Sequence, residues 1–142
     1  MLTTIEQATE NFCTHQIRES HSLHEGISNK RTLIAYIDID VQDGSKHRVY
    51  IASDEAFMQR VSLLFLEEEE SEEETLIDMT LETANLIIGS AKVIAEEMNE
   101  NPYTINTPHF IKVGNFDLQY DSAKTIIVAN DEITIAIKEL HD

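Results

Sequence analysis

The sequence predicts an α+β fold in which an antiparallel β-sheet packs against long helices. Three observations lead to this fold class: three helical repeats of apolar residues, an alternating hairpin pattern between the first and the second of them, and a series of strand-like runs after Pro108. Apolar residues make up 42% of the 142-residue chain, which is enough for one core. We therefore expect a single domain over residues 1–142.

The first two helices are predicted from the spacing of apolar residues. From Leu2 to Ile17 such residues recur at roughly helical intervals without Gly or Pro, which favours an amphipathic helix that ends before Gly26. Ser53 and Asp54 are typical caps for a second helix. The apolar stripe of that helix would contain Phe57, Val61, Leu64 and Phe65.

The longest predicted helix runs from about Thr75 to Met98, ahead of Pro102. Apolar residues step along it by four, three, four, three, four and three, as expected for a stripe that faces a core: Ile77, Leu81, Ala84, Ile88, Ala91, Ala95 and Met98. The preceding run, 67–74, contains seven glutamates and one serine. We interpret it as a solvated, partly disordered connector rather than an electrostatic guide for a basic partner, because charge runs are usually only solvated.

The strands are predicted from alternation and turn residues. Residues 31–40 alternate β-branched or aromatic side chains with polar ones, Asp43-Gly44 is typical of a turn, and residues 47–52 indicate the returning strand of a hairpin. After Pro108 the turn dipeptides Gly114-Asn115 and Asn130-Asp131 separate further runs. These runs favour a three- or four-stranded antiparallel meander: 109–113, 116–120, 125–129 and 133–137.

The charge balance excludes several classes of partner. Ten Lys and Arg against 27 Asp and Glu give a formal net charge of −17 and a pI of about 4.5. Such a surface repels phosphate backbones and anionic lipid heads, so we expect neither nucleic acid nor a membrane as a partner. No segment is typical of a signal peptide or of a membrane span, and Cys13 is the only cysteine. We therefore expect a cytoplasmic protein.

Two groups of residues are poor candidates for a site. His21 and His24, with Glu19 and Glu25, lack cysteine ligands and a second matching pair, so a polar linker is favoured over a metal centre. Cys13 is interpreted as a small buried helix residue rather than a catalytic thiol.

One face of the longest helix carries better candidates. Four residues step along it by four, three and four, and therefore share a face turned away from the apolar stripe: Asp78, Glu82, Asn85 and Gly89. A solvated face is the ordinary interpretation of such a row. However, Asn is a poor helix former, and Gly costs about 1 kcal/mol relative to Ala in a helix interior. These residue types favour a face that another molecule approaches closely.

The same residues resemble a known signature. Asp78, Glu82 and Asn85, followed after 22 residues by Pro108, match the Asp/Ser-x3-Glu-x2-Asn-x22-Pro motif of the CheC/CheX/FliY phosphatases of bacterial chemotaxis. The stretch from Glu82 to Lys92 is also similar to the family's Glu-x-x-Asn-x-x-x-Gly-x-x-Lys helix. The motif occurs once in this chain, as in CheX, whereas CheC and FliY carry it twice.

The resemblance implies a CheX-like sandwich and a phosphatase that hydrolyses the aspartyl phosphate of a CheY-like response regulator. It implies that Glu82 pairs with the active-site lysine of the regulator and that Asn85 orients the attacking water. Asp78, Gly89 and Lys92 would belong to the partner-binding face. No cofactor is expected in this chain, since Mg²⁺ would come with the regulator, and a homodimer with one active helix per subunit is implied.

Other interpretations stay open. Asp78 is equally well explained as a favourable anion in the first helical turn, Lys92 as a solvated lysine, and Pro108 as a residue that fixes the start of a strand. A second functional hypothesis is a non-catalytic module that docks a regulator or a flagellar-switch component through the same face. A third is a homodimeric scaffold whose exposed β-edge is the interaction surface.

Overall fold

A computed structural model describes residues 1–17, 20–27 and 30–141. The elements follow in the order α1 (Leu2–Asn11), a π-helical segment (Phe12–Ile17), β1 (His21–Glu25), β2 (Thr32–Val41), β3 (Lys46–Asp54), α2 (Glu55–Leu66), α3 (Glu73–Glu97), β4 (Tyr103–Ile105), β5 (His109–Gly114), β6 (Ser122–Val128) and β7 (Asp131–Leu140). Strands and helices are thus segregated, and the predicted α+β class is confirmed. None of the described helices has the length and apolarity to span a membrane.

The strands form one antiparallel sheet in the order β1-β6-β7-β3-β2. The free side of β2 is shared, because β4 pairs with its end at residues 39–41 and β5 with its beginning at residues 32–36. The predicted hairpin is confirmed: β2 and β3 pair from Thr32 opposite Asp54 to Asp40 opposite Lys46. Its turn contains Gly44 at a φ of +95°, a conformation that Gly adopts without steric cost.

The main core lies between the sheet and the helices. Side chains alternate between the two faces of a strand, so one face of the sheet presents a layer of buried Ile and Val residues toward the helices. Helix α3 packs over β2 and is flanked by α1 and α2. This arrangement leaves one side of α3 directed away from the rest of the chain.

The opposite face of the sheet is covered by an irregular segment, residues 115–121. Phe116 packs there edge-on against Tyr50, with ring centroids 5.5 Å apart, in a small second core with Ile34, Ala52, Ala123 and Ala136. The predicted strand at 116–120 is therefore wrong. Because β5 pairs with β2 and not with β6, the chain must cross the sheet between β5 and β6, and this segment is the crossing. The predicted meander is reduced to the β6–β7 hairpin.

The N-terminal segment confirms the predicted first helix and corrects one other prediction. Helix α1 ends at Asn11 and a π-helical segment continues to Ile17, well before Gly26. His21–Glu25, interpreted from the sequence as a polar linker, is strand β1 and pairs with β6. Its composition is mostly polar, so its conformation depends on pairing with β6 rather than on local propensity.

Helix α2 begins at its predicted cap, since Asp54 Oδ1 accepts a hydrogen bond from the Phe57 backbone N at 2.7 Å. Its predicted stripe is correct for Phe57 and Val61, which are buried, and wrong for Leu64 and Phe65, which are exposed. These two residues lie in the last turn, beyond the part of α2 that the sheet and α3 cover.

The acidic run after α2 is anchored to that helix by Ser71. The Ser71 backbone N donates to Gln59 Oε1 and the Ser71 carbonyl accepts from Gln59 Nε2, both at 2.8 Å, while its hydroxyl lies 2.5 Å from that of Ser62. Ser71 is buried and the seven glutamates around it are exposed. The glutamates are therefore solvated as predicted, whereas the predicted partial disorder is corrected: residues 67–72 are held to α2 through Ser71, and Glu73 and Glu74 form the first turn of α3.

Candidate functional site on helix α3

Helix α3 begins two residues before the predicted start and ends one residue before the predicted end. Of the predicted stripe, Ala84, Ile88, Ala91 and Ala95 are buried, whereas Ile77 and Leu81 are half-buried and Met98 is exposed. The buried face is wider than the stripe because α3 packs against two helices as well as the sheet. It also includes Leu76, Met79, Thr80, Thr83 and Ile87.

Two buried threonines mark the part of this face that the sequence analysis missed. Thr80 Oγ1 donates to the Leu76 carbonyl at 2.7 Å, and Thr83 Oγ1 lies 3.8 Å from Met58 Sδ of α2. Both hydroxyls are thus satisfied inside the helix layer. A threonine in a helix appears polar in the sequence, so the apolar pattern gave no signal for these positions.

The opposite face of α3 carries the candidate residues. Asp78, Glu82 and Asn85 are exposed, and Gly89 and Lys92 are half-buried. Within the described part of the chain, the side chains of Asp78, Glu82 and Asn85 make no hydrogen bond or ion pair. The structure therefore brings these residues together on one surface and leaves their polar atoms available to a second molecule.

Asp78 and Pro108 differ in their relation to this surface. Asp78 is the sixth residue of α3, whereas the acidic residues of its first turn are Glu73 and Glu74. The interpretation of Asp78 as a first-turn anion is therefore wrong, because the effect of the helix dipole is confined to that turn. Pro108 lies outside α3 and immediately precedes β5.

A groove of about 450 Å³ lies beside the C-terminal half of this face, lined by Asp40, Gln42, Lys92, Glu96, Pro102, Tyr103 and Thr104. Tyr103 is only 3% exposed, and its hydroxyl has no hydrogen-bond partner among the described residues. Burial raises the pKa of Tyr103 to about 12, and the charges of Glu100 and Glu96 add to that shift. Sequence analysis missed Tyr103 because a strand as short as β4 leaves little alternation to detect.

His21 and His24 contact different side chains on different elements of the described structure. His21 Nε2 lies 2.9 Å from Glu10 Oε2, and His24 Nε2 lies 3.3 Å from Ser22 Oγ. Three residues apart on a strand, the two rings point to opposite faces. Across the described residues, no three His, Cys, Asp or Glu side chains are arranged to hold a metal ion, and Glu19 lies outside those residues.

Cys13 is buried, as predicted for a structural cysteine. Burial raises the pKa of its thiol to about 12, with a smaller contribution from the charge of Glu10. The thiolate needed for nucleophilic chemistry is therefore not populated near neutral pH. The α3 face, in contrast, carries exposed functional groups: the carboxylates of Asp78 and Glu82, which can pair with a cation, and the carboxamide of Asn85, which can both donate to and accept from a water molecule.

Known proteins share both the sequence family of this chain and its fold. The family model of the chemotaxis phosphatase CheX matches residues 36–130, which include the second half of β2 and all of β3, α2 and α3 with the candidate face. No curated protein has a sequence that matches the chain.

Solved structures share the fold. The chemotaxis protein CheX from Vibrio vulnificus aligns with a TM-score of 0.77 and 17% identity, covering 98% of both chains. A putative chemotaxis protein from Desulfovibrio vulgaris Hildenborough aligns with a TM-score of 0.75 and 15% identity, covering 98% of this chain and 96% of that one. A chain of the CheX–CheY–BeF3–Mg²⁺ complex from Borrelia burgdorferi aligns with a TM-score of 0.70 and 14% identity, covering 96% and 97%.

The family match extends over 95 of the 142 residues, since it runs from residue 36 to residue 130. It includes the whole of α3, on which the carboxylate and the carboxamide are exposed. The chain therefore belongs to the family of the chemotaxis phosphatase CheX.

Proposed function

We propose that this protein hydrolyses the aspartyl phosphate of a CheY-like response regulator. The observation that carries the proposal is the exposure of Glu82 and Asn85, one helical turn apart on α3 and without intramolecular partners among the described residues. The family relationship and the CheY-containing complex of a structural neighbour support the choice of partner.

Asn85 suits the chemical step. A water oxygen forms a bond to phosphorus while the bond from phosphorus to the aspartyl oxygen breaks, which yields the carboxylate and inorganic phosphate, and the proton of the water passes to phosphate or solvent. Because this transfer goes through a loose transition state, placing the water in line matters more than deprotonating it. A carboxamide can hold the water by donating and accepting without bringing negative charge near the phosphoryl group.

Glu82 suits docking rather than chemistry. Its carboxylate lies one turn before Asn85 on the same face and would pair with the active-site lysine of the regulator, which fixes the register of the two proteins. Lys92 and Asp78 extend the surface on either side, and Gly89 allows a close approach to the helix backbone. Mg²⁺ would be held by the regulator, since no residues of this chain are needed to bind it.

The test is the decay of the phosphorylated regulator. With Mg²⁺ present, the wild-type protein should accelerate the loss of phosphate, and Asn85→Ala should remove that acceleration while still binding the regulator. Asn115→Ala is the matched control, because Asn115 is an exposed asparagine away from α3. An unchanged decay rate with the wild-type protein, or full activity in Asn85→Ala, would contradict the proposal. Complex formation without faster decay would instead identify a non-catalytic binding module.

We further propose that the protein works as a homodimer with one active helix per subunit. The motif occurs once per chain, and among the described strands β1, β4 and β5 each have a partner on one side only. Such edges can pair with a second chain. Light scattering should give a mass of twice 16.2 kDa, and a monomeric mass at micromolar concentration would contradict the dimer.

A further inference from the structure

Two large apolar residues of α3 are exposed beside the candidate site. Leu86 is 42% exposed and Val93 is 52% exposed. Together with Glu82 and Gly89 they form a row along the helix, because residues 82, 86, 89 and 93 step by four, three and four. The outward face of α3 therefore has a polar side, which carries Asn85 and Lys92, and an apolar side.

Gly89 lies between these two sides. Its four neighbours on the helix surface are Asn85 and Leu86 in the preceding turn and Lys92 and Val93 in the following turn. Beyond its two chain neighbours and the backbone of the surrounding turns of α3, a Cβ atom added to Gly89 would meet no atom within 4 Å. The chain's own packing therefore does not require glycine here. Four residues around an empty centre form the kind of hole that accepts one side chain of a neighbouring protein.

A standard protein–protein interface is wide enough to cover both Asn85 and the hole around Gly89. A standard interface covers roughly 800 Å² on each partner, equivalent to a disc of roughly 16 Å radius. Val93 lies eight residues beyond Asn85, which is about 12 Å along the helix axis, and Leu86 is adjacent to Asn85. A folded partner whose interface is centred near Asn85 therefore also covers Leu86, Gly89 and Val93.

We propose that Leu86, Gly89 and Val93 form the apolar half of the docking surface for the response regulator, with an apolar side chain of the regulator seated over Gly89. This inference rests on the proposed function and deepens it. It assigns a substantial share of the binding free energy to the apolar row, beside the ion pair of Glu82, and the chemical step to Asn85. Contacts that are equally strong in the bound complex and in the transition state change affinity without changing the rate at saturation.

The experiment measures binding apart from turnover. Calorimetry with a CheY-like regulator of the same genome, loaded with beryllofluoride and Mg²⁺, gives the Kd of the complex. The double substitution Leu86→Ala and Val93→Ala should weaken binding about tenfold or more. Leu63→Ala is the matched control, because Leu63 on α2 is 49% exposed and lies outside the proposed surface. A Kd for the double variant within twofold of wild type would overturn the inference, as would an equal loss in the control.

Decay measurements separate this inference from the proposed function. At saturating concentration the double variant should dephosphorylate the regulator at the wild-type rate, whereas its half-saturating concentration should rise in proportion to Kd. If the wild type accelerates decay and the double variant keeps the wild-type half-saturation, the docking inference fails and the function stands. If the wild type binds without accelerating decay and the double variant binds weakly, the catalytic proposal fails and the docking surface stands.

Discussion

Asn85 follows Glu82 by three residues on α3, which places its side chain about 60° around the helix and about 4.5 Å further along the axis. Both side chains are exposed. The offset is large enough for the two groups to contact different atoms of one partner, a lysine for the carboxylate and a water molecule for the carboxamide. Substitutions at the two positions should therefore have different kinetic effects.

Glu82→Gln should weaken docking more than it slows the chemical step. The change removes the charge but keeps the shape, so the ion pair with the regulator is lost, at a cost of about 1 to 3 kcal/mol when the pair is desolvated. The half-saturating concentration in the decay assay should rise about tenfold at low salt, and the rate at saturation should stay within about twofold. A slower saturated rate with unchanged half-saturation would assign Glu82 to the chemical step instead.

Asn85→Asp should be as damaging as Asn85→Ala, although aspartate is nearly the same size. The carboxylate can no longer donate a hydrogen bond, and it brings negative charge toward the phosphoryl group. We expect the saturated decay rate to fall about 100-fold, the loss typical for removing one positioning group. Single-turnover decay with excess protein measures this rate. An aspartate variant that retained a third of the activity would show that Asn85 does not position the water.

Gly89→Ala should make the folded chain more stable and the complex less stable. Alanine is favoured over glycine in a helix interior by about 1 kcal/mol, and the added methyl group meets no atom within 4 Å beyond its chain neighbours and the backbone of the surrounding turns of α3. Urea denaturation should show the gain, and calorimetry with the beryllofluoride-loaded regulator should show the loss. A stability gain with wild-type affinity would mean that nothing approaches α3 closely at this position.

Tyr103→Phe should also stabilise the protein. The Tyr103 hydroxyl is buried without a hydrogen-bond partner among the described residues, and its desolvation is therefore uncompensated. Removing it should raise the free energy of unfolding by about 1 kcal/mol. Tyr120→Phe serves as the control, because Tyr120 is an exposed tyrosine. Destabilisation by Tyr103→Phe in urea would show that the hydroxyl has a partner.

Stability should fall at alkaline pH through Cys13 and Tyr103. Their ordinary pKa values, 9.0 and 10.0, are each raised to about 12 in the folded chain, chiefly by burial. At pH values between the ordinary and the raised pKa of each group, the unfolded chain releases a proton that the folded chain retains. The free energy of unfolding therefore decreases as pH rises through this range. Each group contributes a slope of up to about 1.4 kcal/mol per pH unit. Cys13→Ala should reduce the slope between pH 9 and 11, and an unchanged slope would show that the thiol is not desolvated.

Sequence reasoning succeeded where local pattern determines structure. The helix α3, the β2–β3 hairpin and the Asp54 cap all depend on residues near one another in the chain, and the structure has each of them within two residues of the prediction. The row from Asp78 to Gly89 follows from helical geometry alone. Because the opposite side of α3 is apolar and must face the core, this row was predicted to face outward.

The failures share a different cause, which is dependence on distant partners. Strand β1 is nearly all polar and forms because β6 is available to pair with it. The segment 115–121 has the alternation of a strand but must cross the sheet, because β5 pairs with β2. Leu86 and Val93 were likewise missed as surface residues, because apolar side chains in a helix are ordinarily taken to face the core.

The position of the site within α3 has a thermodynamic consequence for association. Glu82 and Asn85 are the tenth and thirteenth of the 25 helical residues, and the adjacent Ala84 is fully buried. Fraying is confined to helix ends, so the backbone under both side chains is already in its binding conformation before the partner arrives. A loop carrying the same two groups would lose conformational entropy on binding. Here the backbone is already ordered and only side chains have to be fixed, so less of the interaction free energy with the regulator is lost on arranging the site.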